Sequence, residues 1–202
     1  MRDYSAYDLH GSMRTSGVRY AWPSTRTRIY DEPKNLVAHG LATVRTEATG
    51  DRERRMYSIT ETGREVLATW LEEPGTSSRS ENEALLKVFL ASHGSRQALE
   101  TQLDAIQAAL EQDYESLIAT LNGLGNKPDS SVYFQRAHLS DLLIADALGR
   151  LEQTTDWLKR ARARVAEWDD TATDAQKRQI ADDSLHELVT TAQANLRAIR
   201  RG

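Results

Sequence analysis

The stretch Ser24-Thr25-Arg26-Thr27-Arg28-Ile29-Tyr30-Asp31-Glu32-Pro33-Lys34-Asn35-Leu36-Val37-Ala38-His39-Gly40 decides the fold. Ser24 or Thr25 suits a helix N-cap, because a short side-chain oxygen accepts an otherwise orphaned backbone N–H. Ile29, Pro33, Leu36 and Val37 recur on one helical face, and Gly40 suits the left-handed residue that ends a helix. Pro33 lacks the N–H that would bond the Ile29 carbonyl, so a kink or loosening is expected there.

Working outward, Ser5 followed by Asp8 resembles a capping box, opening a short helix from about Ser5 to Thr15. Gly17 and Pro23 then bracket a turn. On the other side, Ala42–Glu47 and Arg55–Ile59 are β-prone runs joined by Ala48–Arg54, with Gly50-Asp51 suited to a hairpin tip. Thr60 caps a further helix to Leu71, with Val66, Leu67 and Trp70 or Leu71 expected to face inward. Helix, helix, hairpin, helix is the order of a winged helix-turn-helix with a two-stranded wing.

The linker-like Pro74–Ser80 separates this module, residues 1–73, from residues 81–202, which are patterned as helices throughout. In Gln97–Leu121, Leu99, Leu103, Ile106, Leu110, Leu117 and Leu121 recur at steps of three, four or seven, a coiled-coil-like seam. Gly123-Leu124-Gly125 reads as a stop. A third long helix is expected over Ser131–Trp168, with Ile144, Leu148, Leu151, Leu158 and Val165 on its seam. A last one follows over Asp174–Arg200, with Leu185, Leu188, Val189, Ala192, Leu196 and Ile199 along one face.

Composition narrows the function. The 202 residues hold no cysteine, so disulfides and thiolate metal sites are excluded. Neither a signal peptide nor a long apolar run is present, which implies a cytoplasmic chain with no membrane partner. The net charge is −4, yet His10–Arg64 carries ten Lys or Arg against six Asp or Glu, a balance of +4. Residues 81–202 carry fourteen against nineteen, a balance of −5, so a polyanion partner belongs with the first module.

In a helix-turn-helix the second helix enters the major groove and the wing grips the backbone. Arg26 and Arg28 lie in the first turn of that helix, where a guanidinium suits a guanine edge. Ser24, Thr25 and Thr27 suit phosphates, and Lys34 is a further phosphate candidate. Arg52, Arg54 and Arg55 sit at or just after the hairpin tip as a cationic finger. Alone, such a run reads as a solvated turn; beside the helix pair it favours double-stranded DNA.

Trp22-Pro23, Ile29-Tyr30, Leu36, Gly40-Leu41, Arg52, Arg54-Arg55 and Tyr57-Ser58-Ile59-Thr60-Glu61-Thr62-Gly63-Arg64 together resemble the winged helix of the PadR family of bacterial regulators. Glu83–Ala91 resembles the start of that family's longer C-terminal domain. The resemblance implies a homodimer on a pseudo-palindromic operator, repression, and release by a small-molecule or stress signal. It makes Tyr30 a recurrent recognition-helix residue and places Thr25 and Arg28 at the capping and groove-facing positions. The family's apolar first helix would precede Ser5, where this sequence has four residues; a longer start or a helix from the C-terminal region is expected to cover that face.

Other chemistries find little support. His10, His39, His93, His138 and His186 show no ligand spacing, so no metal or other cofactor is expected. No catalytic triad order, carboxylate pair or nucleotide loop points to an enzyme. Tyr133, Phe134, Trp157 and Trp168 read as helix packing, with an effector pocket as the alternative. The rival to DNA binding is a winged helix used for protein contact, with the long helices as an assembly scaffold.

Overall fold

The structure, a computed structural model, describes residues 3–49, 52–76, 81–93, 95–126, 137–168 and 174–201. Its order is β1 (Tyr4–Ser5), α1 (Ala6–Arg14), α2 (Val18–Ala21), α3 (Arg26–Ala38), β2 (Ala42–Thr49), β3 (Arg52–Ile59), α4 (Glu61–Glu72) and α5 (Glu83–Phe89). A short 3-10 turn over Leu90–His93 leads to α6 (Arg96–Gly125), α7 (Ala137–Ala166) and α8 (Asp174–Ile199). The chain packs as two units, Met1–Leu158 and Lys159–Gly202.

Local chemistry places the helix starts where side-chain oxygens reach back. Ser5 and Asp8 form a full capping box on α1, Thr25 accepts from the Arg28 N–H, and Thr60 accepts from the Gly63 N–H. α3 ends in a Schellman motif: Gly40 takes φ +70°, its N–H donates to the Val37 carbonyl, and the Leu41 N–H donates to that of Leu36. α3 continues through Pro33, which is buried beside Ile29.

The sheet has three antiparallel strands in the order β1-β3-β2, the expected two-stranded wing of β2 and β3 together with β1, which was not expected. Ser5 pairs with Met56 and Tyr4 with Tyr57, too short a match for any periodicity to reveal. The hairpin is also longer than expected, since pairing runs from Ala42 opposite Ile59 out to Thr49 opposite Arg52. Its expected tip, Gly50-Asp51, lies outside the described residues. The turn expected between Gly17 and Pro23 contains α2, a single helical turn.

Two faces differ from expectation. On α4 the buried residue is Gly63, whereas Val66, Trp70 and Leu71 are at least half exposed. Leu36 of α3 is also exposed. The common cause is that no described residue of this single chain covers those positions, so helical periodicity reported an apolar face but not its partner.

The long helices bury their seams more fully. Leu99, Leu103, Leu110, Leu117 and Leu124 of α6 are buried, the last four at steps of seven. α6 thus runs past Leu121 and ends at Gly125, within the expected stop, and Leu121 is exposed where Leu124 is buried. Across from them on α7, Ile144 packs with Leu117 and Leu124, and Tyr20 of α2 joins this cluster. The expected start of α7 near Ser131, with Tyr133 and Phe134, lies outside the described residues; Leu148 on its seam is exposed.

Gly63 predicts a sharp sensitivity. An added Cβ would stand 2.1 Å from the Leu41 carbonyl oxygen and 2.8 Å from Ile59 Cγ1, and a backbone oxygen at a strand end has little room to yield. Gly63→Ala is expected to lower unfolding free energy by about 2–4 kcal/mol in urea denaturation. An unchanged midpoint would contradict this close approach.

Candidate nucleic-acid interface

The first turn of α3 is an exposed polar edge. Thr25 caps it through a 3.3 Å bond from the Arg28 N–H, so its hydroxyl oxygen is occupied by the backbone while its proton stays available. Arg26, Thr27 and Arg28 are all exposed, and Ser24 just before them is half-buried. Arg28 lies 3.6 Å from Glu32 across one helical turn, and Lys34 donates to Asp31 at 2.7 Å. Each of these pairs is more than half exposed, so solvent screens it and either cation can leave for a phosphate at little loss.

Tyr30 anchors this edge to the fold. Its half-buried ring carries Arg26 at 5.5 Å from the centroid and meets the ring of His10 of α1 at 6.2 Å between centroids. Arg26 is thereby stacked while its polar fork remains exposed. α1 and α3 pack together along this contact.

The wing arginines do not share one role. Arg55 is exposed on β3. Arg54, its neighbour, points to the opposite face by strand alternation, and its Nη2 donates to Asp8 Oδ1 at 2.6 Å and Ser5 Oγ at 2.8 Å. Both partners in that ion pair are only about one-third exposed, at 37% and 34%. Arg52 opens β3, and its backbone placement is what the structure describes. Within the expected cationic finger the geometry thus distinguishes an outward Arg55 from an inward Arg54.

Sequence reasoning missed three polar groups beside this surface. Arg45 of β2 is held by Asp3 at 2.8 Å and by Glu47. A hydrogen bond from Ser58 and the Arg45 guanidinium hold the Asp3 carboxyl below its ordinary value. Arg19 and Tyr20 of α2 reach α6: Arg19 donates to Ser116 Oγ at 3.0 Å and Thr120 Oγ1 at 3.3 Å, and the Tyr20 hydroxyl donates to Thr120 Oγ1 at 3.2 Å. Alternation along β3 would have separated Arg54 from Arg55; no sequence signal marks α2.

An N-capped helix with an exposed polar first turn, set beside a strand hairpin, is the arrangement of a winged helix, the fold class of many transcriptional regulators. The comparisons agree. Residues 81–166 match the family described as Virulence activator alpha C-term. The negative transcriptional regulator PadR of Bacillus subtilis (strain 168) is 28% identical over 173 residues, covering 81% of this chain and 90% of that protein. The crystal structure of Bacillus subtilis PadR in complex with operator DNA is similar with a TM-score of 0.65 at 25% identity, over 81% of this chain and 92% of that one. The same protein in complex with p-coumaric acid shares the fold with a TM-score of 0.61 at 24% identity, over 82% and 92%. The chain is a PadR-like transcriptional regulator. These relatives are regulators rather than enzymes.

Asp8 gives the surface an acid-sensitive joint. Burial works against its charged form, but hydrogen bonds from the Ser5 side chain and backbone, and the Arg54 guanidinium, outweigh it and hold the carboxyl below its ordinary value. A lowered folded-state pKa stabilises the fold at pH values above the ordinary carboxylate value and is lost as pH falls through the lowered one. Asp8→Asn is expected to be less stable at neutral pH by up to about 1 kcal/mol, given partial exposure. The difference should shrink and vanish as pH falls through the lowered carboxyl value in acid titration followed by circular dichroism.

Proposed function

We propose that this chain is a cytoplasmic repressor that binds a pseudo-palindromic operator as a homodimer and is released by a small-molecule or stress signal. The observation that carries this is the exposed first turn of α3, where Thr25 caps the helix and Arg26, Thr27 and Arg28 stand clear of the fold. Arg26 and Arg28 read base edges; Ser24, Thr25, Thr27, Lys34, Arg52 and Arg55 hold phosphates, and Tyr30 sets the angle of Arg26. Residues 1–73 form the DNA-binding part, 74–80 the linker, and 81–202 the part for dimerisation and effector response.

Release has a physical route in α2. The segment just before α3 is seated on the long helices: Tyr20 packs on Leu117, Leu124 and Ile144, and Arg150 of α7 donates to the Tyr20 carbonyl at 3.3 Å. A Cβ on Gly17 would stand 2.8 Å from the Ser140 carbonyl oxygen, so helix and segment sit at close range. A molecule that favours a different arrangement of α6 and α7 therefore displaces the segment that feeds the reading helix, a shift between two populations. PadR crystallised with p-coumaric acid supports a small-molecule signal as the class.

Electrophoretic mobility shift on DNA upstream of the chain's own gene tests this reading. Affinity is expected to fall steeply with salt, and Arg55→Ala to lower the slope of log K against log salt by about one. Arg28→Ala is expected to lose roughly 1–3 kcal/mol of discrimination between operator and unrelated DNA. Binding insensitive to salt and to both substitutions would instead mark the winged helix as a protein-contact module.

A further inference from the structure

Arg54 occupies a junction of three elements. Its Nη2 reaches Asp8 Oδ1 on α1 and Ser5 Oγ on β1, while Asp8 Oδ2 accepts from the Ser5 hydroxyl at 2.9 Å and from the Ser5 N–H at 3.3 Å. Ser5 Oγ also accepts from the Asp8 N–H at 3.1 Å, and Ser5 pairs with Met56 of β3. The wing is thus tied twice to the start of α1, once by backbone pairing and once by the guanidinium. α1 in turn packs on α3 through His10 and Tyr30.

Resting on the operator-binding reading above, we propose that Arg54 is a positioning residue: through Asp8 and Ser5 it fixes the wing relative to the reading helix, and it does not itself contact phosphate. The energetics favour this over an arginine that swings out to DNA. Withdrawing the guanidinium strips a partly buried carboxylate of its cation and leaves an uncompensated negative charge beside a phosphate backbone. The new contact to phosphate would be offset by the loss of two short charge-assisted bonds. Arg55, on the opposite face, meets phosphate without any such loss.

The test compares the native chain, Arg54→Gln, Asp8→Asn and the double variant, each titrated with operator DNA at several salt concentrations, below the temperature at which any of them begins to melt. Each single substitution is expected to weaken binding about fivefold, the scale of a partly exposed ion pair. The salt slope should stay at the native value, because no phosphate contact is lost, and the double variant should bind no more weakly than the weaker single one. A merely destabilising role would leave the affinity of the folded protein unchanged and so would overturn the proposal.

Direct phosphate contact gives the opposite pattern and also overturns it. Asp8→Asn would then free the guanidinium and bind DNA as tightly as the native chain or more so, while Arg54→Gln would lower the salt slope by about one. Hydrogen exchange without DNA separates the bridge from the operator reading. Both single variants are expected to exchange faster over Tyr4–Ser5 and Met56–Tyr57; unchanged exchange refutes the wing anchor. A native chain that binds no DNA, with exchange still accelerated in the variants, refutes operator binding and Arg54's part in it but leaves the bridge standing.

Discussion

The approach of Gly63 to the Leu41 carbonyl is the constraint around which the winged helix is built. It brings the start of α4 against the residue that links α3 to β2, at a distance that no side chain tolerates. Thr60 closes the same joint: its hydroxyl donates to the Gly40 carbonyl at 2.8 Å, and its N–H donates to that of Leu41 at 3.1 Å. Four elements therefore end or begin within a few residues of Gly40-Leu41 and Ile59-Thr60. The direction in which α3 presents its first turn follows from how tightly its last turn is held.

The caps on either side of that joint were legible because they are made of local chemistry. Ser5 with Asp8, Thr25, Gly40 and Thr60 act within three or four residues of themselves, so type and spacing alone predict the caps. What escaped depends on distant partners. β1 is two residues long and exists because Met56 and Tyr57 offer an edge. α2 is one turn, and its place is set by Thr120, Ser140, Ile144 and Arg150. The polar Arg52-Glu53-Arg54 reads as a loop, yet the structure continues β3 through it, pairing Glu47 with Arg54 and Ala48 with Glu53.

The candidate site divides in the same way. That Arg26, Thr27 and Arg28 stand exposed at the start of a capped helix follows directly from their order after Thr25. That Arg54 differs from Arg55 does not follow from composition, which counts three arginines in four residues. It follows from the pleat, which sends adjacent residues to opposite faces, and from a carboxylate forty-six positions away. Arg45 is another example, since Asp3 and Glu47 neutralise a charge that a linear count assigns to the basic face. The local balance of +4 thus overstates the charge offered to a polyanion.

The uncovered apolar positions bear on how such a surface is used. Ile180, Leu185, Leu188, Val189, Leu196 and Ile199 recur along α8 at helical spacing, and each is exposed in the single chain. A stripe of that length in water works against solubility unless another surface covers it, which is the physical support for the homodimer proposed above. One copy of α3 offers only a few exposed polar side chains, while two held a fixed distance apart would multiply the specificity proposed for them without any new contact. The separation then becomes the quantity a regulatory signal must change. Because α2 joins α3 to the buried Leu117, Leu124 and Ile144 cluster, α6 and α7 hold the start of α3 in place.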